Sequence, residues 1–377
     1  MDAMDAFDGL YSKFLNQKAH DNRVPISGTF ELLPFCNMRC KMCYIVHDRP
    51  KNWQNTLHSV DHWENLFDQA IEQGMLYALI TGGEPFLYPG FQELMERLAK
   101  KPIHIALNTN ATLLNEERVK WLKSLGLGRI NISLYGGSNE TYARLCGNPQ
   151  GFDQVTNAFR LLNEYKVPFM VHTTMTPYNV DDYDAIRAVC NEYRAPLKMV
   201  YYMFPPYRKD KGLIENDARF TPEQAVDVAL RMLADGHGGD HRAFLNQLEL
   251  HCAAFENPQI YGAYGRQDIL CRSGYSTFWV DWRGQVSGCG VHAAEKIDLS
   301  QVPFADAWKQ LVSTTEATRL SEKCAYCRYR CICPVCAAAA YCETGDVAGT
   351  PDYLCRFCEL YARKLVEKRD ELRKLYE

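Results

Sequence analysis

Between about residues 28 and 203 the chain alternates short runs rich in β-branched and aromatic residues with longer stretches whose apolar positions recur every three to four residues. The runs at 28–35 (GTFELLPF), 76–81 (LYALIT), 103–109 (IHIALNT), 129–135 (RINISLY), 167–175 (VPFMVHTTM) and 197–203 (LKMVYYM) read as strands. Helical patterns occupy 59–74, 89–100, 115–126, 151–165 and 180–193. In the first of these, Val60, Trp63, Phe67, Ala70 and Ile71 fall near one face, and Gly74 supplies a stop. Six strands with helices between them imply right-handed strand–helix–strand units and a parallel sheet. Chemistry in such folds gathers at the C-terminal ends of the strands. Three motifs sit at such ends: CNMRCKMC after the first run, TGGEP after the second and NTNA after the third.

The regularity breaks at PPYRKDKGLIEND, resumes with the helical TPEQAVDVALRMLADG, and passes through a GHGGDH loop. From about residue 271 the chain is cysteine-dense with short elements, and it closes on a charged helical stretch. The expected organisation is an N-terminal helix and lead-in at 1–27, an α/β unit at 28–204, a bridge at 205–265, a cysteine-rich unit at 266–362 and a C-terminal helix at 363–377.

Composition narrows the functional classes. With 377 residues, 47% of them hydrophobic, there is ample material for a core. A net charge of -4 offers no broad basic surface, so nucleic acid is not the expected partner. The N-terminus lacks the pattern of a secretory signal, and no apolar run reaches the ~18 residues of a membrane span, so a cytoplasmic location without membrane contact is expected. Sixteen cysteines in a reducing compartment point to metal or redox chemistry rather than disulfides.

Cys36, Cys40 and Cys43 supply three thiolates from one loop, spaced C-x3-C-x2-C, with no fourth cysteine nearby. A four-iron cluster held this way keeps one iron free of protein. Structural zinc, completed by a histidine such as His47, is the plainer alternative. The spacing, Tyr44 directly after Cys43, and the Gly82-Gly83-Glu84-Pro85 turn after the second strand together resemble the radical S-adenosylmethionine (SAM) superfamily. That resemblance implies a partial (β/α)6 barrel of the TIM type and a [4Fe-4S] cluster whose free iron chelates SAM through its amino and carboxylate groups. It further implies anaerobic chemistry, with an electron from a flavodoxin- or ferredoxin-type donor and a 5'-deoxyadenosyl radical that abstracts a substrate hydrogen. By position in the family, Gly82 and Gly83 line the SAM amino group, where a Cβ would obstruct approach. Ser133 and Arg144 fall near the SAM ribose or carboxylate, with Asn108 and Asn110 weaker candidates for the same pocket. Tyr135 stands where many relatives carry aspartate.

The second cysteine set, C-x12-G-x4-C over Cys271 and Cys289 followed by Cys324, Cys327, Cys333, Cys336 and Cys355, resembles a SPASM domain, which carries two auxiliary four-iron clusters. A zinc ribbon is the plainer reading of the CAYC and CPVC pairs. The resemblance assigns Cys324, Cys327, Cys333 and Cys355 to one cluster and Cys271, Cys289 and Cys336 to the other. The Cys333–Cys336 gap is one residue shorter than usual. That second group counts only three ligands, which leaves an open iron or a distant fourth ligand such as Cys252. Cys331, Cys342 and Cys358 are surplus, read first as buried small hydrophobes, and Cys146 and Cys190 as core. Tyr135, Tyr202, Asp281 and His172 are read as packing rather than as a catalytic base.

The family then implies a peptide substrate, matured through a thioether, a carbon–carbon crosslink or a related change, with the peptide recognised by the bridge or by a separate protein. Alternatives are a small-molecule substrate such as a tetrapyrrole or sugar, a sulfatase-maturing enzyme, and a non-catalytic iron–sulfur carrier. Gly290 follows Cys289 where sulfatase-maturing enzymes carry a basic aspartate, which disfavours that activity. The GGEP turn disfavours a mere carrier.

Overall fold

A computed structural model describes residues 10–45, 53–204, 217–291 and 296–375; His47 and most of the PPYRKDKGLIEND stretch lie outside them. The first part of the chain runs α1 (Leu10–Asp21), β1 (Ser27–Glu31), α2 (Val60–Glu72), β2 (Tyr77–Thr81), α3 (Phe91–Leu98), β3 (His104–Thr109), α4 (Glu116–Ser124), β4 (Arg129–Ser133), α5 (Asn139–Cys146), α6 (Gly151–Glu164), β5 (Phe169–Thr174), α7 (Tyr183–Glu192) and β6 (Leu197–Val200). Adjacent strands from β1 to β6 pair in parallel, as the alternation of elements requires. Among the described residues the sheet does not close, and β6 is an edge. Its outward-facing residues, among them Phe30, Ile80, Leu107, Ile132 and Val171, are buried under the helices. Polar side chains occupy the concave face: Asn131 donates to Asn108 at 2.7 Å, and Ser133 and His172 sit side by side in register.

Local chemistry explains where the helices begin. Ser59, Asn115 and Ser138 each accept a hydrogen bond from a backbone N–H of the first turn of α2, α4 and α5. Gly147 ends α5 in the left-handed conformation, at φ 67°. The strands end two to four residues short of the sequence expectation in several cases, because the last residues of each run turn into the loops that build the site. Helix α5 is not among the expected helices; its buried positions run only from Thr141 to Cys146, one of them polar, whereas the equally short α3 buries apolar residues from Phe91 to Leu98.

The remainder is α8 (Pro222–Asp235), α9 (His241–Glu256), β7 (Thr277–Val280), β8 (Gln285–Ser287), β9 (Ile297–Asp298), α10 (Phe304–Ala317), α11 (Glu322–Ala325), α12 (Ala337–Thr344) and α13 (Asp352–Arg373). Helix α13 packs on α8 and α9 around a second core that includes Val226, Leu248, Phe357 and Leu365. The helix crosses the expected boundary at 362/363. The cysteine-rich part also extends the barrel sheet: β7 pairs in parallel with β1, and β8 and β9 continue antiparallel. Helices α9 and α10 lie where only loop or short elements are expected, although their buried residues recur at helical spacing: Phe244, Leu245, Leu248, Cys252 and Phe255 in α9, and Phe304, Ala307, Trp308, Leu311 and Thr315 in α10.

Phe30 locks the two parts together. Fully buried on β1, it stacks on Phe67 of α2 at 3.9 Å and meets Phe278 of β7 edge-on at 5.7 Å. Replacing it with alanine is expected to destabilise the protein by about 3–5 kcal/mol, read as a lower urea midpoint.

Candidate functional site

The cysteine loop leaves β1 and is held on three sides. Leu32 N–H donates to Thr81 O at 2.9 Å, and Gly83 and Glu84 N–H donate back to Leu33 O and Phe35 O, both at 2.8 Å. On the opposite side, Arg39 and Lys41 N–H donate to Cys146 O and Leu145 O at 2.8 and 2.9 Å, satisfying carbonyls at the end of α5 that a helix cannot pair internally. From the third side, Asn110 Nδ2 donates to Asn37 Oδ1 at 2.9 Å and to Cys36 Sγ at 3.4 Å. The three strand-end motifs therefore converge on one loop.

Gly83 explains its own identity. A Cβ there would stand 2.0 Å from Phe35 O and 2.9 Å from Cys36 N. The close approach is to the backbone of the cysteine loop itself, a role additional to the expected contact with SAM. Gly82 lies similarly against Leu33. Glu84 and Pro85, which the family resemblance counts with the SAM pocket, are both buried. Glu84 instead ties the ends of β2 and β3 together, accepting from Thr109 Oγ1 and Asn110 N at 2.8 Å and from Phe86 N at 3.3 Å. Burial pushes its carboxyl up to about 7 against those three donors.

Sulfur chemistry at the loop fits an iron–sulfur cluster. Cys36 and Cys43 each accept a backbone N–H at 3.4 Å, from Met38 and Ile45, besides the Asn110 amide on Cys36. Donors of this kind stabilise ligating thiolates. Burial, with Glu84, Cys40 and Cys43 adding repulsion, pushes the Cys36 thiol up to about 12, a penalty that a cationic metal centre reverses. Among the described residues no three His, Cys, Asp or Glu side chains are grouped as a single metal ion would require. A cuboidal cluster, with each thiolate on a different iron, asks for wider spacing.

Of the other expected pocket residues, Ser133 and Asn108 face the concave side near the strand ends, and Arg144 is exposed on α5. Tyr44 meets Trp279 of β7 edge-on at 6.4 Å, and Trp279 Nε1 donates to Glu31 Oε2 at 2.9 Å. A Cβ on Gly290 would strike the Trp279 indole at 2.6 Å. One indole thus joins the first cysteine loop to the residue after Cys289, a link that sequence spacing did not reveal. Asp281 accepts from Arg283 N and Gln285 N within its own turn and from Lys296 Nζ at the start of the β9 segment. His172 on β5 is held neutral, lowered to about 4 by burial and by Lys198 and Arg129.

The distal cysteines form two groups. Cys324, Cys327, Cys333 and Cys355 are neighbours; burial first, then repulsion from the other three, pushes the Cys355 thiol up. Cys358, one turn along α13, donates to Cys333, holding Cys333 down and keeping Cys358 itself protonated. The other group sits between the end of β8 and α12. Cys336 caps α12, its Sγ accepting from Ala339 N at 3.4 Å. Cys342 is buried and donates to Val291 O at 3.4 Å. Cys252 belongs to neither group: it is buried in the core between α9 and α13, near Arg369 and Glu256.

Two substitutions check the electrostatics. Glu84→Gln turns an amide N–H₂ toward protein donors and is expected to destabilise the fold by about 1–3 kcal/mol, measured by urea unfolding. Because the folded pKa of His172 is depressed, its neutral form stabilises above pH ~6.5, and this contribution is lost as pH falls toward about 4. His172→Asn should flatten stability across that window, read from melting temperature against pH.

Comparison with known proteins places this geometry. The model of the radical SAM superfamily matches residues 30–189. The chain is 23% identical over 329 residues to an AdoMet-dependent heme synthase of Methanosarcina barkeri, covering 84% of this chain and 92% of that protein. It is 28% identical over 211 residues to the sporulation killing factor maturation protein SkfB of Bacillus subtilis, covering 56% and 50%. Among solved structures it shares its fold with Streptococcus suis SuiB bound to precursor peptide SuiA, with TM-score 0.65, 18% identity, and coverage of 93% of this chain and 82% of that one. A cysteine loop laced to a glycine turn at the top of an open parallel barrel, in residues that match this family, makes 30–189 a radical SAM domain.

Proposed function

We propose that this enzyme binds SAM and a [4Fe-4S] cluster at Cys36, Cys40 and Cys43 and modifies a peptide substrate, as in maturation of a ribosomally made peptide. The observation that carries the peptide reading is the open sheet: β6 is an edge, so the concave face has an unclosed side through which an extended chain can enter. Likeness to SkfB supports the same substrate class. When bound, the cluster and SAM supply a 5'-deoxyadenosyl radical that abstracts hydrogen.

The chain's own residues hold and shield that chemistry. Asn110 and the Met38 and Ile45 amides stabilise the thiolates, while Gly82 and Gly83 keep the backbone close. Ser133, Asn108 and Arg144 are assigned to the SAM pocket, and Tyr44 to the cysteine loop beside it. Further into the chain, Cys324, Cys327, Cys333 and Cys355 are assigned to one auxiliary [4Fe-4S] cluster and Cys271, Cys289 and Cys336 to another, in a SPASM-type domain over 266–362. A flavodoxin- or ferredoxin-type protein would supply the electron, the auxiliary clusters would take up the electron left after bond formation, and the bridge or a separate protein would present the peptide.

A second reading is favoured by one observation: the likeness to the heme synthase runs nearly the full length of both chains. An iron tetrapyrrole is therefore the alternative substrate.

The test is anaerobic turnover of the reduced protein with SAM and either the peptide encoded beside its gene or an iron tetrapyrrole. Formation of 5'-deoxyadenosine together with loss of hydrogen from the peptide, by mass spectrometry, is expected. Turnover of the tetrapyrrole alone overturns the peptide reading. Cys43→Ala should abolish 5'-deoxyadenosine formation, and the wild-type chain should hold about 12 irons, as three four-iron clusters require.

A further inference from the structure

We infer that Cys342 is the fourth protein ligand of the auxiliary cluster assigned to Cys271, Cys289 and Cys336, so that this cluster presents no open iron to substrate. The inference rests on the assignment of those three cysteines under the proposed function.

Topology brings the four together. Strands β7 and β8 pair antiparallel with Trp279 opposite Ser287, so the segment entering β7 and the segment leaving β8 run side by side. A Cβ on Gly288 would lie 2.7 Å from Ser273 Oγ and 3.1 Å from Gly274 N, which sets the segment carrying Cys271 against the one carrying Cys289. Helix α12 supplies the remaining two, Cys336 as its N-cap and Cys342 one and a half turns further on. The Cys342 thiol reaches back to Val291 O at 3.4 Å, two residues beyond Cys289, and both Cys289 and Cys336 are close enough to act on it electrostatically.

The surroundings suit a ligand. The N-terminus of α12 adds positive potential at Cys336. Next to Cys342, Arg219 and Glu343 form an ion pair with both side chains 7% exposed, and the guanidinium lies 3.7 Å over the Tyr353 ring. That buried cation stands beside the site where additional thiolate charge would collect. On coordination, Cys342 gives up its S–H···O bond to Val291, the S–Fe bond forms, and the thiol proton passes to solvent, as metal binding by cysteine requires.

The inference is tested on the full chain reconstituted anaerobically with iron and sulfide, comparing wild type, Cys342→Ala, Cys342→Ser and, as a control in the α7 core, Cys190→Ala. Expected results are about 12 irons in wild type and Cys190→Ala and about 8 in Cys342→Ala, or the appearance of a three-iron EPR signal in that variant. Cys342→Ser, whose hydroxyl keeps the volume, should retain iron with a shifted EPR spectrum. Added β-mercaptoethanol should leave the wild-type auxiliary spectrum unchanged. If the alanine variant fails to fold, the serine variant and the thiol titration decide. Unaltered iron and EPR in both variants, or a wild-type spectrum that β-mercaptoethanol changes, overturns the role of Cys342. Only about 4 irons in the wild type would instead overturn the auxiliary-cluster assignment itself.

Discussion

The structure depends on the close approach of two backbones at the top of the barrel. The turn after β2 and the cysteine loop after β1 exchange hydrogen bonds at 2.8 Å, and the hydrogen of Gly83 is all that fits between them. That contact is one of three that hold the first cysteine loop. It fixes where Cys36 leaves the sheet, positions Glu84 so that its carboxylate gathers the end of β3, and through Asn110 brings a donor onto the Cys36 sulfur. A buried carboxylate satisfied by three donors is stiffer than any apolar contact of the same size, because each lost bond leaves an unpaired polar group away from water.

A second constraint joins the two ends of the chain. The cysteine-rich part adds strands to the barrel sheet beside β1, and Phe278 and Trp279 of β7 contact Phe30, Tyr44 and Glu31. Hydrogen-bonded register fixes β7 relative to β1 residue by residue. The distance between the first cysteine loop and Cys289 is thereby set by the sheet and not by a flexible linker. Such rigidity holds the separation of the two cysteine segments constant.

Much was legible beforehand because the signals are local. The six parallel strands were read from short β-rich runs, and all survive with trimmed ends; five of the six helices interleaved with them were read from apolar periodicity. The C-x3-C-x2-C spacing and the glycine turn marked the site, since both are features of contiguous chain. The helix at Asn139–Cys146 and the strands β7 to β9 are too short to carry a periodic signal, whereas the helices at His241–Glu256 and Phe304–Ala317 do carry one, which the expected organisation omits.

The elements of the barrel and the residues of the first cysteine loop are set locally, by periodicity and by spacing within one segment. Long-range packing makes Glu84 a buried tie, joins Asp281 to its own turn and to Lys296, puts Cys252 in the core, and sets Cys342 and Cys358 beside the distal cysteine groups. Those outcomes depend on which distant segments meet. A side chain's neighbours across a helix–strand junction are set by packing, to which no spacing in the chain is a guide.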